Sequence, residues 1–290
     1  AGKDVLGVSS MAVSPHTPET ILVGGRGLYM STDGGVSWSE RSSGLGGTLL
    51  DLQLDPADGL TLYAHSWGPC QLYRSSDGGR GWELVTGRGC GLAFDAGGDI
   101  LYRNEGDRLL RSRDEGKTWE EVAWPQGWNP SGVAAHPWQP GTVYALYTRN
   151  QPPYIYISMD GGETWQKTSG MQDICDTRLF FDHQQGQVVY AIGDMQASRS
   201  RDGGMTWEDC NSRAWHSRLD SRLAIDPRDS NWLILATRGD GVRISRDGCQ
   251  GWEPSNEGLG NPFVNTVAIN PQNPDTIYAG TDGGASISFD

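Results

Sequence analysis

The residues with the most chemical capacity in this chain come in small groups: a hydroxyl, a carboxylate two positions on, glycines, often a second hydroxyl, and a tryptophan. STDGGVSW, from Ser31 to Trp38, is the first such group. A carboxylate between hydroxyls could ligate a hard cation, hold a proton for acid–base work, or staple a turn. Repetition decides among these. SSDGGRGW runs from Ser75 to Trp82, SRDEGKTW from Ser112 to Trp119, and SMDGGETW from Ser158 to Trp165. SRDGGMTW runs from Ser200 to Trp207, and SRDGCQGW from Ser245 to Trp252. Ser288-Phe289-Asp290 matches the start of a seventh copy. The aspartates Asp33, Asp77, Asp114, Asp160, Asp202, Asp247 and Asp290 are spaced by 44, 37, 46, 42, 45 and 43 residues. A mean period of about 43 residues belongs to solenoids, propellers or arrays. A catalytic or metal loop has no reason to occur seven times, so the group reads as a structural staple.

The elements that must position these loops follow from what lies between them. The first repeat holds SSMAVS, TILVG, LYMS and VSWSER, and the sixth holds RLAID, WLILAT, VRIS and GWEPS. These are four short strands per period, with no helical pattern. A second landmark precedes each loop by about 20 residues: SPHTPET, DPADG, DAGGD, HPWQPG, DHQQGQ, DPRDSN and NPQNPD. Such residues fix φ, allow positive φ, or bond their own backbone, so each marks a turn. The expected fold is all-β: a seven-bladed β-propeller of four-stranded antiparallel blades, a single domain over residues 1–290. The aspartate loop then joins the third strand to the fourth. Its carboxylate accepts backbone N–H groups, and the glycine at its fifth position takes positive φ. Its tryptophan opens the fourth strand and packs over the blade edge. Six of the twelve tryptophans, Trp38, Trp82, Trp119, Trp165, Trp207 and Trp252, are committed to this task. The seventh copy stops at Asp290, so the last blade is incomplete in this chain. Either it has three strands or the natural chain continues, and the repeat bookkeeping favours continuation.

The pattern S-x-D-x-G-x-T-W, in six full copies in register, resembles the Asp-box, or BNR, repeat. The resemblance spans nearly the whole chain. That superfamily includes sialidases, xyloglucanase-type endoglucanases, sortilin-type receptors and photosystem II assembly factors. It implies a propeller whose boxes lie at the periphery, away from any active site. Some positions depart from the pattern: Glu115 and Cys249 replace glycines, and Gly81 and Gly251 replace the second hydroxyl. The Arg-Ile-Pro signature that begins sialidases is absent. The xyloglucanase-type enzymes pair two propellers around a cleft, whereas this chain holds seven repeats, enough for one.

Composition narrows the partners. A net charge of −13 repels phosphate backbones, so no nucleic-acid partner is expected. No apolar run approaches the ~20 residues of a membrane helix, so no membrane insertion is expected. The N-terminal AGKDVLGVSS has no signal-peptide core: either none existed or it was removed. No phosphate loop, zinc motif or nucleophile elbow occurs, so neither a metal nor a cofactor is expected.

In a propeller, the loops between the second and third strands and those between blades gather at one end of the channel. That end is the expected ligand-binding face, with Arg26, His65, Trp67, Arg103, Trp128, Arg149, Trp215, His216, Arg238 and Asp240 as its candidate residues. Glu105, Asp107, Asp173, Asp194, Phe263 and Asp282 fall there too. Arginine with aromatics is the usual composition of a binding surface. The expected function is a non-catalytic propeller, a binding or scaffold protein that recognises a protein or a glycan. The alternative is a glycoside hydrolase, or one half of a two-propeller glycosidase, with two of the face aspartates as acid and base. His16, His136 and His183 read as turn residues at the opposite end.

Five cysteines complete the inventory. Cys70 with Cys90, and Cys175 with Cys210, fall at one end of neighbouring strands, where bridges form if the Cα atoms lie within ~7 Å. Cys249 is then left over. Two bridges imply an oxidising, extracytoplasmic setting: secreted, periplasmic or lumenal. The competing reading is five free thiols.

Overall fold

The computed structural model describes residues 8–14, 17, 19–54, 61–66, 71–86, 90–96, 98, 100–123, 132–147, 154–170, 177–193, 196–211 and 218–289. The described residues form seven antiparallel sheets and no helix. Blade 1 is β1 (Ser10–Val13), β2 (Ile21–Gly24), β3 (Leu28–Ser31) and β4 (Ser39–Glu40). Blade 2 is β5 (Leu49–Leu54), β6 (Leu62–Ser66), β7 (Leu72–Ser75) and β8 (Glu83–Thr86). Blade 3 is β9 (Cys90–Phe94), β10 (Leu101–Glu105), β11 (Arg108–Ser112) and β12 (Glu120–Glu121). Blade 4 is β13 (Gly132–Ala135), β14 (Val143–Tyr147), β15 (Tyr154–Ser158) and β16 (Gln166–Lys167). Blade 5 is β17 (Arg178–Phe181), β18 (Val189–Ile192), β19 (Ala197–Ser200) and β20 (Glu208–Asp209). Blade 6 is β21 (Arg218–Asp226), β22 (Asp229–Arg238), β23 (Gly241–Ser245) and β24 (Glu253–Pro254). Blade 7 has three strands, β25 (Val264–Ile269), β26 (Ile277–Thr281) and β27 (Gly284–Ser288). Each sheet is a meander in sequence order, and the whole is a seven-bladed β-propeller.

The burial of each strand follows from its place in the blade. Second strands are covered on both faces, so β2 (ILVG) and β18 (VYAI) are buried at every residue. They read as continuous apolar runs rather than alternations. Fourth strands are rim strands. β4, β12, β16 and β20 read SE, EE, QK and ED and are exposed throughout. Charge on an outer strand discourages pairing with other chains.

Contacts group the chain into two compact units, residues 1–87 with 216–290, and residues 88–215. Within the first, blades 1 and 2 share a core of Leu22, Leu28, Leu49, Leu52, Leu62 and Tyr73. Blades 6 and 7 share Ile234, Ala236, Val242, Val264 and Val267. Blade 7 meets blade 1 through Val8, Ile21, Val23 and Tyr278. There the Asn265 side-chain amide donates to the Val8 carbonyl at 2.8 Å. The Ser9 hydroxyl lies 2.5 Å from the Leu49 carbonyl and 3.1 Å from the Gly24 carbonyl. Within the second unit, Tyr102, Leu109 and Val122 of blade 3 pack on Val133, Val143 and Ala145 of blade 4. Tyr144 and Ile157 pack on Val189 and Trp207. Burying one such side chain is worth about 1.5–3 kcal/mol, so these inter-blade cores dominate cohesion within each unit.

Candidate functional site

The repeated loops share one geometry. Ser31 Oγ donates to Asp33 Oδ1 at 2.7 Å and accepts the Gly35 N–H at 2.8 Å. Asp33 Oδ1 also accepts the Ser37 N–H at 2.8 Å, and Oδ2 accepts the Ser37 hydroxyl at 2.5 Å. Trp38 Nε1 donates to the Gly35 carbonyl at 3.0 Å. Ser112, Asp114 and Thr118 repeat this in blade 3, Ser158, Asp160 and Thr164 in blade 4, and Ser200, Asp202 and Thr206 in blade 5. Asp77 and Asp247 lack the second hydroxyl, and each accepts two backbone N–H groups instead. Hydrogen bonds to the ionised form hold a carboxyl acidic. The Ser37 hydroxyl and amide therefore hold Asp33 at about 2, and Thr118 and Thr164 do the same for Asp114 and Asp160. Asp77, Asp202 and Asp247 are lowered as well.

Two consecutive residues of each loop, its fourth and fifth, take positive φ. Six pairs do so, from Gly34 (69°) and Gly35 (93°) to Gly248 (68°) and Cys249 (77°). Glu115, at 60°, and Cys249 occupy a region that side chains disfavour, and the loop's hydrogen bonds hold them there. The two sequence landmarks also meet. The fourth-position N–H donates to the turn between first and second strands, Gly34 to Glu19, Gly161 to Gly141 and Gly203 to Gln187, or, in blade 6, to Asn231 near the start of β22 from Gly248. The carboxylates are spent on their own backbone. Among the described residues no cluster of three or more His, Cys, Asp or Glu could hold a metal ion.

The candidate face is only partly as expected. Arg26 is exposed in the β2–β3 turn. Arg238 ends β22 and is exposed, and it bridges to Phe263, itself 46% exposed. Asp240 pairs with Arg243 at 3.3 Å, and its carbonyl accepts the Asn256 amide at 2.8 Å. Asp282 accepts the Asn265 amide at 2.8 Å. The structure thus brings Arg238, Asp240, Phe263 and Asp282 together at the meeting of blades 6 and 7.

His65 and Arg103 differ from the expectation of open loop residues. Each lies inside a second strand, and both are buried. Arg103 pairs with Glu105 at 2.9 Å and lies 4.6 Å over the Trp119 ring. Burial lowers its pKa. The reason is that β6 and β10 run to Ser66 and Glu105, beyond the apolar residues that mark them in the sequence. Trp67, Trp128, Arg149, Trp215 and His216 lie outside the described residues, as do Asp173, Asp194, Asp290, Cys70 and Cys175. Cys90 is a β9 residue whose side chain is also outside them. Cys210 and Cys249 are both disulfide-bonded. Cys249 is therefore not left over, which corrects the expected assignment.

At the opposite end the sequence reading missed an aromatic cluster. His136 is fully buried; one ring nitrogen, Nε2, lies 2.6 Å from the Gly186 carbonyl, and Nδ1 accepts the Trp138 N–H at 3.2 Å. That assigns the Nε2–H tautomer. Its ring packs edge-on to Phe181 at 5.0 Å, and Trp138 covers His183 at 4.6 Å. Burial depresses the pKa of both histidines. HPW and FFDH, each one repeat from the other, are the signal that could have found it.

No protein-family model matches the chain. A probable oligoxyloglucan-reducing end-specific xyloglucanase of Neosartorya fischeri is 25% identical over 320 aligned residues, covering 96% of this chain and 36% of that protein. The crystal structure of a GH74 enzyme of Niastella koreensis superposes with a TM-score of 0.76 at 18% identity, covering all of this chain and 53% of that one. A structure of YCF48 bound to D1 peptide superposes with a TM-score of 0.71 at 16% identity, covering 99% of this chain and 93% of that one. The chain therefore spans about a third of the xyloglucanase and about half of the GH74 enzyme. At these identities the two structures establish the fold.

Proposed function

We propose that this chain is a non-catalytic Asp-box propeller that binds a protein or glycan through its loop face. One observation carries the reading: of the four described carboxylates expected on that face, three are committed to neighbouring side chains, and the fourth, Asp107, stands exposed in the turn after β10. Asp240 serves Arg243, Asp282 serves Asn265, and Glu105 serves Arg103 and Arg108. A glycosidase needs one carboxylic acid and one available carboxylate, ~5–10 Å apart across an open groove. Here Asp240, Asp282 and Glu105 hold neighbouring side chains in place, while Arg26, Arg238 and Phe263 stay exposed for contact. Similarity to a peptide-bound propeller over nearly the full length of both chains supports a binding role for a single propeller. The disulfide-bonded Cys210 and Cys249 support an oxidising, extracytoplasmic compartment.

The second reading, half of a two-propeller glycosidase, is favoured by the xyloglucanase relative, of which this chain spans 36%. One set of experiments separates them. The protein is screened against peptide and glycan arrays, and against xyloglucan oligosaccharides for released sugar. The binding reading expects capture without turnover, weakened about tenfold by Phe263→Ala or Arg238→Ala. Turnover that Asp240→Asn or Asp282→Asn abolishes would replace it with the hydrolase.

A further inference from the structure

The turns between first and second strands differ among the blades in a way the repeat does not require. Where described, those of blades 1, 6 and 7 expose charge: Glu19, Arg228 with Asp229, and Asp275. Those of blades 4 and 5, HPWQPG from His136 to Gly141 and HQQGQ from His183 to Gln187, contain no acid, lysine or arginine. The acid before the second stretch, Asp182, is 1% exposed, and its Oδ1 accepts the Gln184 and Gln185 N–H groups at 2.8 and 3.2 Å. In a chain of net charge −13, these two turns offer an ionic partner no exposed counter-charge.

The two turns are built as one surface. His136 joins them, with Nε2 at 2.6 Å from the Gly186 carbonyl and Nδ1 accepting the Trp138 N–H. Its ring meets Trp138 edge-on at 5.8 Å and Phe181 at 5.0 Å, and Phe181 meets Tyr144 at 5.5 Å. Trp138 is therefore held at its backbone and at its ring, with His183 against it at 4.6 Å. It nevertheless stays 42% exposed, the most exposed of the described tryptophans, and it belongs to none of the repeated loops. A Cβ on Gly186 would stand 4.0 Å from Gln139 Nε2, so the Gln139 amide of blade 4 reaches the blade 5 turn. Gln139 and Gln185 are both exposed, and each amide offers two donor hydrogens and an acceptor oxygen.

A fixed indole bordered by amides and free of charge matches a pyranose ring. The axial C–H groups of a sugar pack on the apolar ring, and its hydroxyls donate and accept as a primary amide does. Because the indole is already ordered, binding loses little side-chain freedom. We propose that Trp138, with the Gln139 and Gln185 amides beside it, is a surface site for a neutral glycan chain, on the turns opposite the loop face. The site holds a sugar and does no chemistry on it. It shares no residue with the loop face, so it stands or falls independently of the function proposed above.

The test titrates the 290-residue protein calorimetrically with cellohexaose, a neutral oligosaccharide whose rings carry axial hydrogens on both faces. A saturable isotherm is expected, weakened about tenfold by Trp138→Ala and severalfold by Gln139→Ala or Gln185→Ala. Phe263→Ala, on the loop face, is expected to leave it unchanged, which separates this site from the face. Trp138→Phe keeps a ring and is expected to retain part of the affinity, and with the two glutamine variants it tests the site if Trp138→Ala lowers the melting temperature. Oligogalacturonate of the same length, with a carboxylate on every ring, is expected to bind at least tenfold more weakly. Hexalysine probes the rival occupant of an aromatic face in an acidic chain, a cation, and is expected not to compete. No saturable binding of cellohexaose, equal affinity in Trp138→Ala and the unaltered protein, or displacement by hexalysine would overturn the proposal.

Discussion

The aspartates read as staples from their repetition, and in the fold they clamp their own loops. Each holds its loop only while ionised, and the sign of the pH dependence follows. A carboxyl whose folded pKa lies below its unfolded value binds fewer protons when folded. Its stabilisation is fully present above the unfolded pKa and is lost as pH falls through the folded one. For Asp33, Asp114 and Asp160 that window runs from the model-peptide value of 3.8 down to about 2. His136 acts in the same direction at higher pH. Burial lowers its pKa from 6.5, so protonation on acidification opposes the fold, and it breaks the Trp138 N–H bond to Nδ1. Denaturant midpoints measured from pH 8 to 2 are expected to fall in two stages, the first shared by His136 and His183 and reduced, not abolished, by His136→Gln. A midpoint that rises below pH 4 would contradict the clamp.

At the scale of elements, the sequence marks the blades well and their ends poorly. Period, turns and alternation locate every sheet, because each blade repeats the same apolar spacing. The fourth strands shrink to two residues in most blades, since they pair on one side only and sit in water. The second strands lengthen. Tyr102-Arg103-Asn104-Glu105 reads as a charged loop, yet the two-residue Gly106-Asp107 turn makes it strand up to Glu105. Arg103 is tolerated inside because Glu105 and the Trp119 ring offset its desolvation. Arg103→Ala is thus expected to cost on the order of 2–4 kcal/mol of stability and leave ligand affinity unchanged. Equilibrium unfolding and a binding isotherm on the same variant check this. The cysteines could not be paired from the sequence, because spacing does not say which strand ends meet. Cys249 is expected to resist alkylation until reductant is added, and reduction to lower stability by about 2–4 kcal/mol. A Cys249 that labels in the unreduced native protein would refute this.

For the molecule as a whole, one repeating unit is reused seven times, and differences between copies carry what is specific. The positions of the face candidates in the fold could be read where a turn separates them from the strands. Arg26, Arg238 and Asp240 follow from counting strands, whereas His65 and Arg103 required knowing where the strands stop. Likeness to xyloglucanases and to a peptide-bound propeller shows how far the same scaffold serves different ends, so function is argued from this chain's own face.

Labour is divided on the proposed reading: the repeated loops hold the fold, and contact falls to the variable loops. The direct measurement is the affinity of the ligand found on the arrays, taken well below the melting point, for Ser200→Ala beside Phe263→Ala. Ser200 is buried and its hydroxyl accepts the Gly204 N–H at 2.7 Å, so losing it should cost about 1–3 kcal/mol of stability. Native affinity is expected for Ser200→Ala, and a loss of about tenfold for Phe263→Ala at native stability. Binding or turnover lost with Ser200→Ala but kept with Phe263→Ala would contradict it.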